Sequence, residues 1–144
     1  MPGPFGGATF IADASAWNRA AHPRVAGRWT TALRNRQIAT CPIVNLELLY
    51  SARDREEFDD ISASLAQLRD VPLTRSVTNA AQRAYRELAA VRPRNQRSVR
   101  LPDLLIAACA QDSGIGVLHY DEDFDRLAEV LAFESRWIAR RGSL

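Results

Sequence analysis

The chain has 144 residues, 47% of them apolar and 25% charged, which excludes wholesale disorder and is enough for one core without disulfide or metal staples. Its 19 basic residues are all arginine and face 17 acids, for a net charge of +2, a balance that does not by itself mark a nucleic-acid binder. Cys41 and Cys109 sit in apolar runs without metal-ligand spacing, the N-terminus lacks the basic and apolar regions of a signal peptide, and no apolar run approaches a membrane span, so the expectation is a cytoplasmic protein with reduced thiols.

Residues 1–8 hold three Gly and two Pro and read as a flexible leader. The short apolar run TFIA, 9–12, predicts a buried strand ending at Asp13. Residues 15–35 are helical in character, with Trp17, Val25, Trp29 and Leu33 available for one face and Pro23 dividing two helices. IATC, 38–41, predicts a second strand, and Pro42 opens a helix that carries Glu47 among Leu46, Leu48 and Leu49. Residues 54–70 predict a helix with acids in its first turns and an apolar stripe of Phe58, Ile61, Leu65 and Leu68. VPL, 71–73, is a strand candidate, a helix follows over 76–91, and RPRNQRSVRLP, 92–102, is a loop. Then come the apolar helix DLLIAACAQDSG, the strand GVLHYD at 116–121, a short helix from DEDFDRLAEV and an edge strand in LAFESRWI. A single domain over 9–138 and a tail over 139–144 account for the rest.

Strands and helices alternate throughout, and the strands are short and continuously apolar, the pattern of a parallel sheet covered by helices on both faces, an α/β domain. Ligands gather at the carboxyl ends of such strands. Asp13 and Asp121 stand there, Asp123 follows at once, Glu47 interrupts an apolar helical turn, and Asp103 opens a helix that must be largely buried. Carboxylates sharing one pocket stay ionised only beside positive charge. Oxygen ligands without clustered His or Cys suit Mg²⁺ or Mn²⁺ rather than zinc, and such ions serve phosphoryl chemistry with water as nucleophile. Each acid also has a structural role open to it: Asp103 as a helix N-cap, Asp121 and Asp123 as caps of the next helix, Asp13 in an Asx-turn toward Ser15.

The motifs FIADAS, CPIVNLELL, LPDLLIAACA and LHYDEDF together resemble the PIN-domain ribonucleases, in particular the VapC-type toxin subunits of VapBC toxin–antitoxin pairs, over residues 9–138. The resemblance implies a three-layer α/β/α PIN-like domain with a short-stranded, mainly parallel sheet, and a metal-dependent endoribonuclease. It implies Asp13, Glu47, Asp103 and Asp121 as the acidic quartet and Asp123 as a fifth, auxiliary acid, holding Mg²⁺ with Mn²⁺ as the alternative. It further implies a homodimer and a VapB-like antitoxin. One departure is His119-Tyr120 before Asp121, where many relatives carry a Thr two residues before the Asp.

RNA requires positive charge around such a pocket. Residues 83–100 supply Arg83, Arg86, Arg92, Arg94, Arg97 and Arg100 against the single acid Glu87, and Arg19, Arg24 and Arg28 form a looser group. Trp17, Trp29 and Tyr120 are the aromatics available for base stacking, with core packing the expectation for both Trp. The competing readings are a metal phosphatase or DNA nuclease on the same scaffold, and a catalytically silent nucleic-acid or protein-binding module.

Overall fold

The computed structural model describes residues 4–91 and 99–144. In chain order the elements are β1 (Pro4–Gly7), β2 (Phe10–Ala12), α1 (Ala14–Trp17), α2 (Ala26–Arg34), β3 (Ile38–Thr40), α3 (Pro42–Tyr50), α4 (Arg55–Ala66), β4 (Arg69–Asp70), α5 (Arg75–Val91), α6 (Leu101–Ser113), β5 (Gly116–His119), α7 (Asp123–Leu127) and β6 (Ser135–Trp137). Five strands form one sheet in the order β4-β3-β2-β5-β6, and every pairing is parallel.

Alternation along these short strands builds two separate cores. Ile11, Ala39 and Val117 point to the face covered by α3, α4, α5, α6 and α7, while Phe10, Ala12, Ile38 and Leu118 point to the face covered by α1 and α2. The result is the expected three-layer α/β/α sandwich. Trp29 is buried in the second core, and Trp17, which packs against both cores, meets it edge-on with ring centroids 4.9 Å apart.

Local signals set the helix ends. Asp54 caps α4 by accepting from the Glu57 N–H at 2.8 Å. Pro102 starts α6, and Gly114 stops it in the left-handed conformation at φ 66°. Two expectations shift. Residues 1–8 are not a loose leader where described: Pro4–Gly7 is strand, Phe5 is buried, and the Gln37 amide donates to the carbonyls of Gly6 and Ala8 at 2.6 and 3.1 Å. The strand expected at 71–73 is instead Arg69–Asp70, so α4 ends at Ala66 rather than at residue 70. The tail is tethered, with the Leu144 N–H donating to the Tyr120 hydroxyl at 3.1 Å and Arg24 donating to the Ser143 carbonyl at 3.1 Å. Residues 92–98 of the predicted loop, with Arg92, Arg94 and Arg97, lie outside the described residues.

Candidate metal centre and active site

The parallel sheet delivers four of the five acids to its carboxyl edge or to helix starts beside it, and the helix after β3 carries the fifth. Asp13 follows β2, Asp121 follows β5, Asp123 opens α7, Asp103 lies in the first turn of α6, and Glu47 lies mid-way along α3. Oxygens of Asp103, Asp121 and Asp123 all fall within 4.8 Å of one another. Asp13 and Glu47 stand outside that tight group but share its field: Asp13 raises the proton affinity of both Asp103 and Glu47.

Asp13 shows how a structural role and a functional one coexist in one side chain. Its Oδ2 accepts from the Ser15 N–H at 3.1 Å and from the Ser15 hydroxyl at 2.6 Å, which is the Asx-turn reading. The same Ser15 Oγ accepts the Tyr120 N–H at 2.9 Å and so ties the end of β2 to the end of β5. Asp13 Oδ1 is left buried with no hydrogen-bond partner, as are Glu47 Oε1 and Asp103 Oδ2. A buried acceptor without a donor costs roughly 1–3 kcal/mol, more for a charged group, and here there are three, on acids whose charges act on one another. Asp103 is not the N-cap of its helix. Arg100 precedes α6 at that position, and Asp103 is fully buried inside the first turn, with only Arg100 Nη2 near its Oδ1 at 3.4 Å. Neither Asp121 nor Asp123 is the N-cap of α7, which is Glu122, but Asp121 Oδ1 accepts the Asp123 N–H at 3.0 Å in an Asx-turn ahead of the helix.

The electrostatics follow from burial and mutual repulsion. Burial first, then the charge of Asp13, pushes the Asp103 carboxyl up to about 7. Burial also raises Asp13, Glu47 and Asp123, with Asp13 adding to the rise at Glu47 and Asp121 to that at Asp123. Two cations are local. Arg100, expected from the basic stretch 83–100, leans on Asp103 from a position 59% exposed, and Arg126, which the sequence did not single out, binds Asp123 at 2.6 Å and Glu122 at 3.1 Å. The i,i+3 spacings Arg100–Asp103 and Asp123–Arg126 were the available signal. Oxygen donors that are buried, unpaired and proton-hungry are what a hard divalent cation satisfies, so these residues fit such an ion.

The PIN-domain family profile matches residues 10–130. The chain belongs to the PIN-domain family. Within it, this PIN domain is 43% identical over 135 residues to ribonuclease VapC18 of Mycobacterium tuberculosis, covering 94% of this chain and 98% of that one. It is 34% identical to ribonuclease VapC51 of the same organism, covering 94% and 96%. Among solved structures it resembles the DNA-bound VapBC of Salmonella typhimurium, with a TM-score of 0.69 at 16% identity over 89% of this chain and 98% of that one. A VapBC-5 structure from M. tuberculosis matches with a TM-score of 0.61 at 23% identity, covering 90% and 98%. The sheet order and helical layers of this PIN domain therefore match a fold seen in toxin–antitoxin complexes.

His119 takes the place of the expected hydroxyl residue. It is fully buried, and burial pushes its imidazole down to about 4, so it is neutral at physiological pH. Its Nδ1 accepts the Asp121 N–H at 3.1 Å, which puts the proton on Nε2 facing Ser135 Oγ at 2.7 Å. Ser135 donates onward to Asp125 Oδ1 at 2.6 Å, and Trp137 Nε1 donates to Asp125 Oδ2 at 3.0 Å. The imidazole thus anchors the loop bearing Asp121 to β6 and α7. Tyr120, the other stacking candidate, is half-buried beneath the Arg19 guanidinium, 4.4 Å from its ring centroid.

Proposed function

We propose that this PIN domain is a divalent-metal-dependent endoribonuclease, the toxin of a VapBC-type pair. The observation that carries the reading is the set of three buried, unpartnered carboxylate oxygens on Asp13, Glu47 and Asp103 beside Asp121 and Asp123. The kinship with VapC ribonucleases supplies the reaction class. Asp103, Asp121 and Asp123 would hold Mg²⁺ or Mn²⁺, with Asp13 completing the set from the Ser15 side. A divalent ion held there would supply Lewis-acid polarisation of a phosphoryl oxygen and acidify an attacking water. Glu47, half-buried and raised by burial, would be the group placed to take a proton from an attacking water. Arg100, anchored weakly through one nitrogen, presents its remaining donors to the phosphate. An antitoxin fits the same picture. Leu46, Tyr50 and Phe58 are 66%, 92% and 42% exposed on α3 and α4, apolar surface available to a partner or a second copy.

The test is cleavage of total RNA by antitoxin-free protein, with Mg²⁺ or Mn²⁺ against EDTA. Discrete fragments are expected only with metal, and the Asp13→Asn variant is expected to lose about 100-fold or more in rate. RNA bound equally well in EDTA and never cut would point to a silent binding module. Turnover of a phosphomonoester or of DNA in preference to RNA would point to the phosphatase or DNA-nuclease reading.

His119 gives a second, sharper check on the centre. His119→Asn keeps an acceptor for the Asp121 N–H, whereas His119→Gln keeps a donor toward Ser135 instead. Both variants are expected to melt lower than the parent. Titration calorimetry with Mn²⁺ is expected to show roughly tenfold weaker binding for Gln and near-parental binding for Asn. Equal losses in the two variants would reduce His119 to core packing.

A further inference from the structure

A cavity of about 540 Å³ opens at the opposite, amino-terminal edge of the sheet, between the end of α2 and the start of β4. Arg34, Arg36, Arg69 and Gln67 line it over an apolar floor of Ile38 and Leu68. All three arginines are exposed, and none has an acidic partner among the described residues. The obvious neutraliser, Asp70, is next to Arg69 along β4 but does not line the cavity and makes no ion pair with these arginines among the described residues. The carbonyl end of α2 offsets about half of one charge, so the lining stays positive.

Arg36 adds an independent sign. It is the single non-glycine residue with positive φ among the described residues, at 56°. That position follows the α2 C-cap Asn35, where Gly is the unstrained choice. A bulky cation held in the left-handed region costs conformational energy that a turn alone does not require.

We propose that this cavity binds the sugar–phosphate backbone of RNA, as a second contact for the substrate of the carboxylate centre; the inference rests on the ribonuclease reading for which RNA is meant. Arginine forks match phosphate oxygens, and the apolar floor gives a sugar or base edge a place to lie. The strands between the two edges are two to four residues long at about 3.3 Å per residue, but the sheet and its covering helices stand between the cavity and the carboxylates, so one RNA reaches both only by passing around the sheet. β4 is an edge strand, which leaves a route along the sheet side. A substrate that needs both contacts is long or folded, and a short oligomer reaches only one.

The experiment measures binding of bulk transfer RNA in EDTA, where nothing is cut, across a salt series, for the parent, Arg34→Gln/Arg36→Gly/Arg69→Gln, and a variant with Lys at the same three positions. The expected result is about tenfold weaker binding in the Gln/Gly/Gln protein and a salt slope shallower by about two. Lys is expected to restore the slope. Exposed side chains are exchanged, so the melting temperature is expected to hold, and Arg36→Gly alone is expected to melt no lower than the parent. Unchanged affinity and slope would overturn the proposal, as would polyglutamate binding that the substitutions abolish while RNA binding stays intact. RNA binding lost through these substitutions, in a protein that cuts nothing with metal, would keep the cavity and remove the ribonuclease reading. Metal-dependent cleavage with no effect of the substitutions would do the reverse.

Discussion

Asp103→Asn is expected to melt at a higher temperature than the parent in EDTA at pH 8, and to lose RNA cleavage. Asp103 is fully buried, and burial reinforced by Asp13 raises its carboxyl from 3.8 to about 7. A folded-state pKa above the unfolded one means that the folded protein holds the extra proton between those values. The associated stability is complete below about pH 4 and is lost as pH rises through about 7. At pH 8 the metal-free protein therefore carries an ionised carboxylate that burial opposes, at a cost of a few kcal/mol that Arg100 at 3.4 Å only partly offsets. Asn removes that charge at nearly constant shape. The stability gap between variant and parent is expected to be largest at pH 8 and to shrink toward pH 5.5. His119, lowered to about 4, acts in the opposite sense, losing stability as pH falls from about 6.5 toward 4. It is present in both proteins and cancels in the difference. Mg²⁺ is expected to raise the melting temperature of the parent and leave Asp103→Asn unmoved. A variant that melts below the parent at pH 8 in EDTA would show that the carboxylate is a structural asset rather than a group held ready for a cation.

Gly116→Ala is expected to be the most costly single-methyl change in the sheet. A Cβ at this position would lie 2.7 Å from the Glu134 carbonyl oxygen and 2.7 and 2.8 Å from two carbons of the Phe10 ring. Neither neighbour has room to yield: Phe10 is fully buried in β2, and the residue after Glu134 begins β6, so β5 is clasped between its two partners. Overpacking of this kind costs about 1–3 kcal/mol, read as a fall of several degrees in melting temperature. Val is expected to be worse. Because β5 ends in His119 and leads to Asp121, metal affinity is expected to fall with stability. Gly27→Ala is the control: a Cβ there meets nothing within 4 Å, and α2 gains a better helix former, so stability is expected to hold or rise by up to about 1 kcal/mol. Equal losses at the two glycines would discount the steric account of Gly116.

How far residues announce their structure varies along this chain. The carboxyl end of α6 was legible, because Gly114 acts locally on the backbone; its start is Leu101, two residues before the expected Asp103. The edge strand Arg69–Asp70 was not, since two exposed charged residues carry no pattern; the strand exists through backbone pairing with Ala39 and Thr40. The N-terminal segment misled for a related reason. Its glycines and prolines describe local freedom, whereas Phe5 is held by burial and Gln37 by hydrogen bonds to residues about 30 positions away.

For the candidate site, the choice of residues was a matter of sequence and their state a matter of fold. Asp13, Asp103, Asp121 and Asp123 stand out as candidates because parallel α/β architecture sends strand ends and helix starts to one edge, and Glu47 because it interrupts an apolar helical turn. Which of their oxygens are orphaned, which are capped, and that Arg126 already holds Asp123 depend on contacts that spacing does not encode. The same division separates His119 as a letter from His119 as an anchor. Only packing decides that its ring is dry and neutral, with one nitrogen on the Asp121 amide and the other on Ser135. Local chemistry is short-ranged and readable in order along the chain. Burial and electrostatic fields are sums over neighbours that the fold alone assembles.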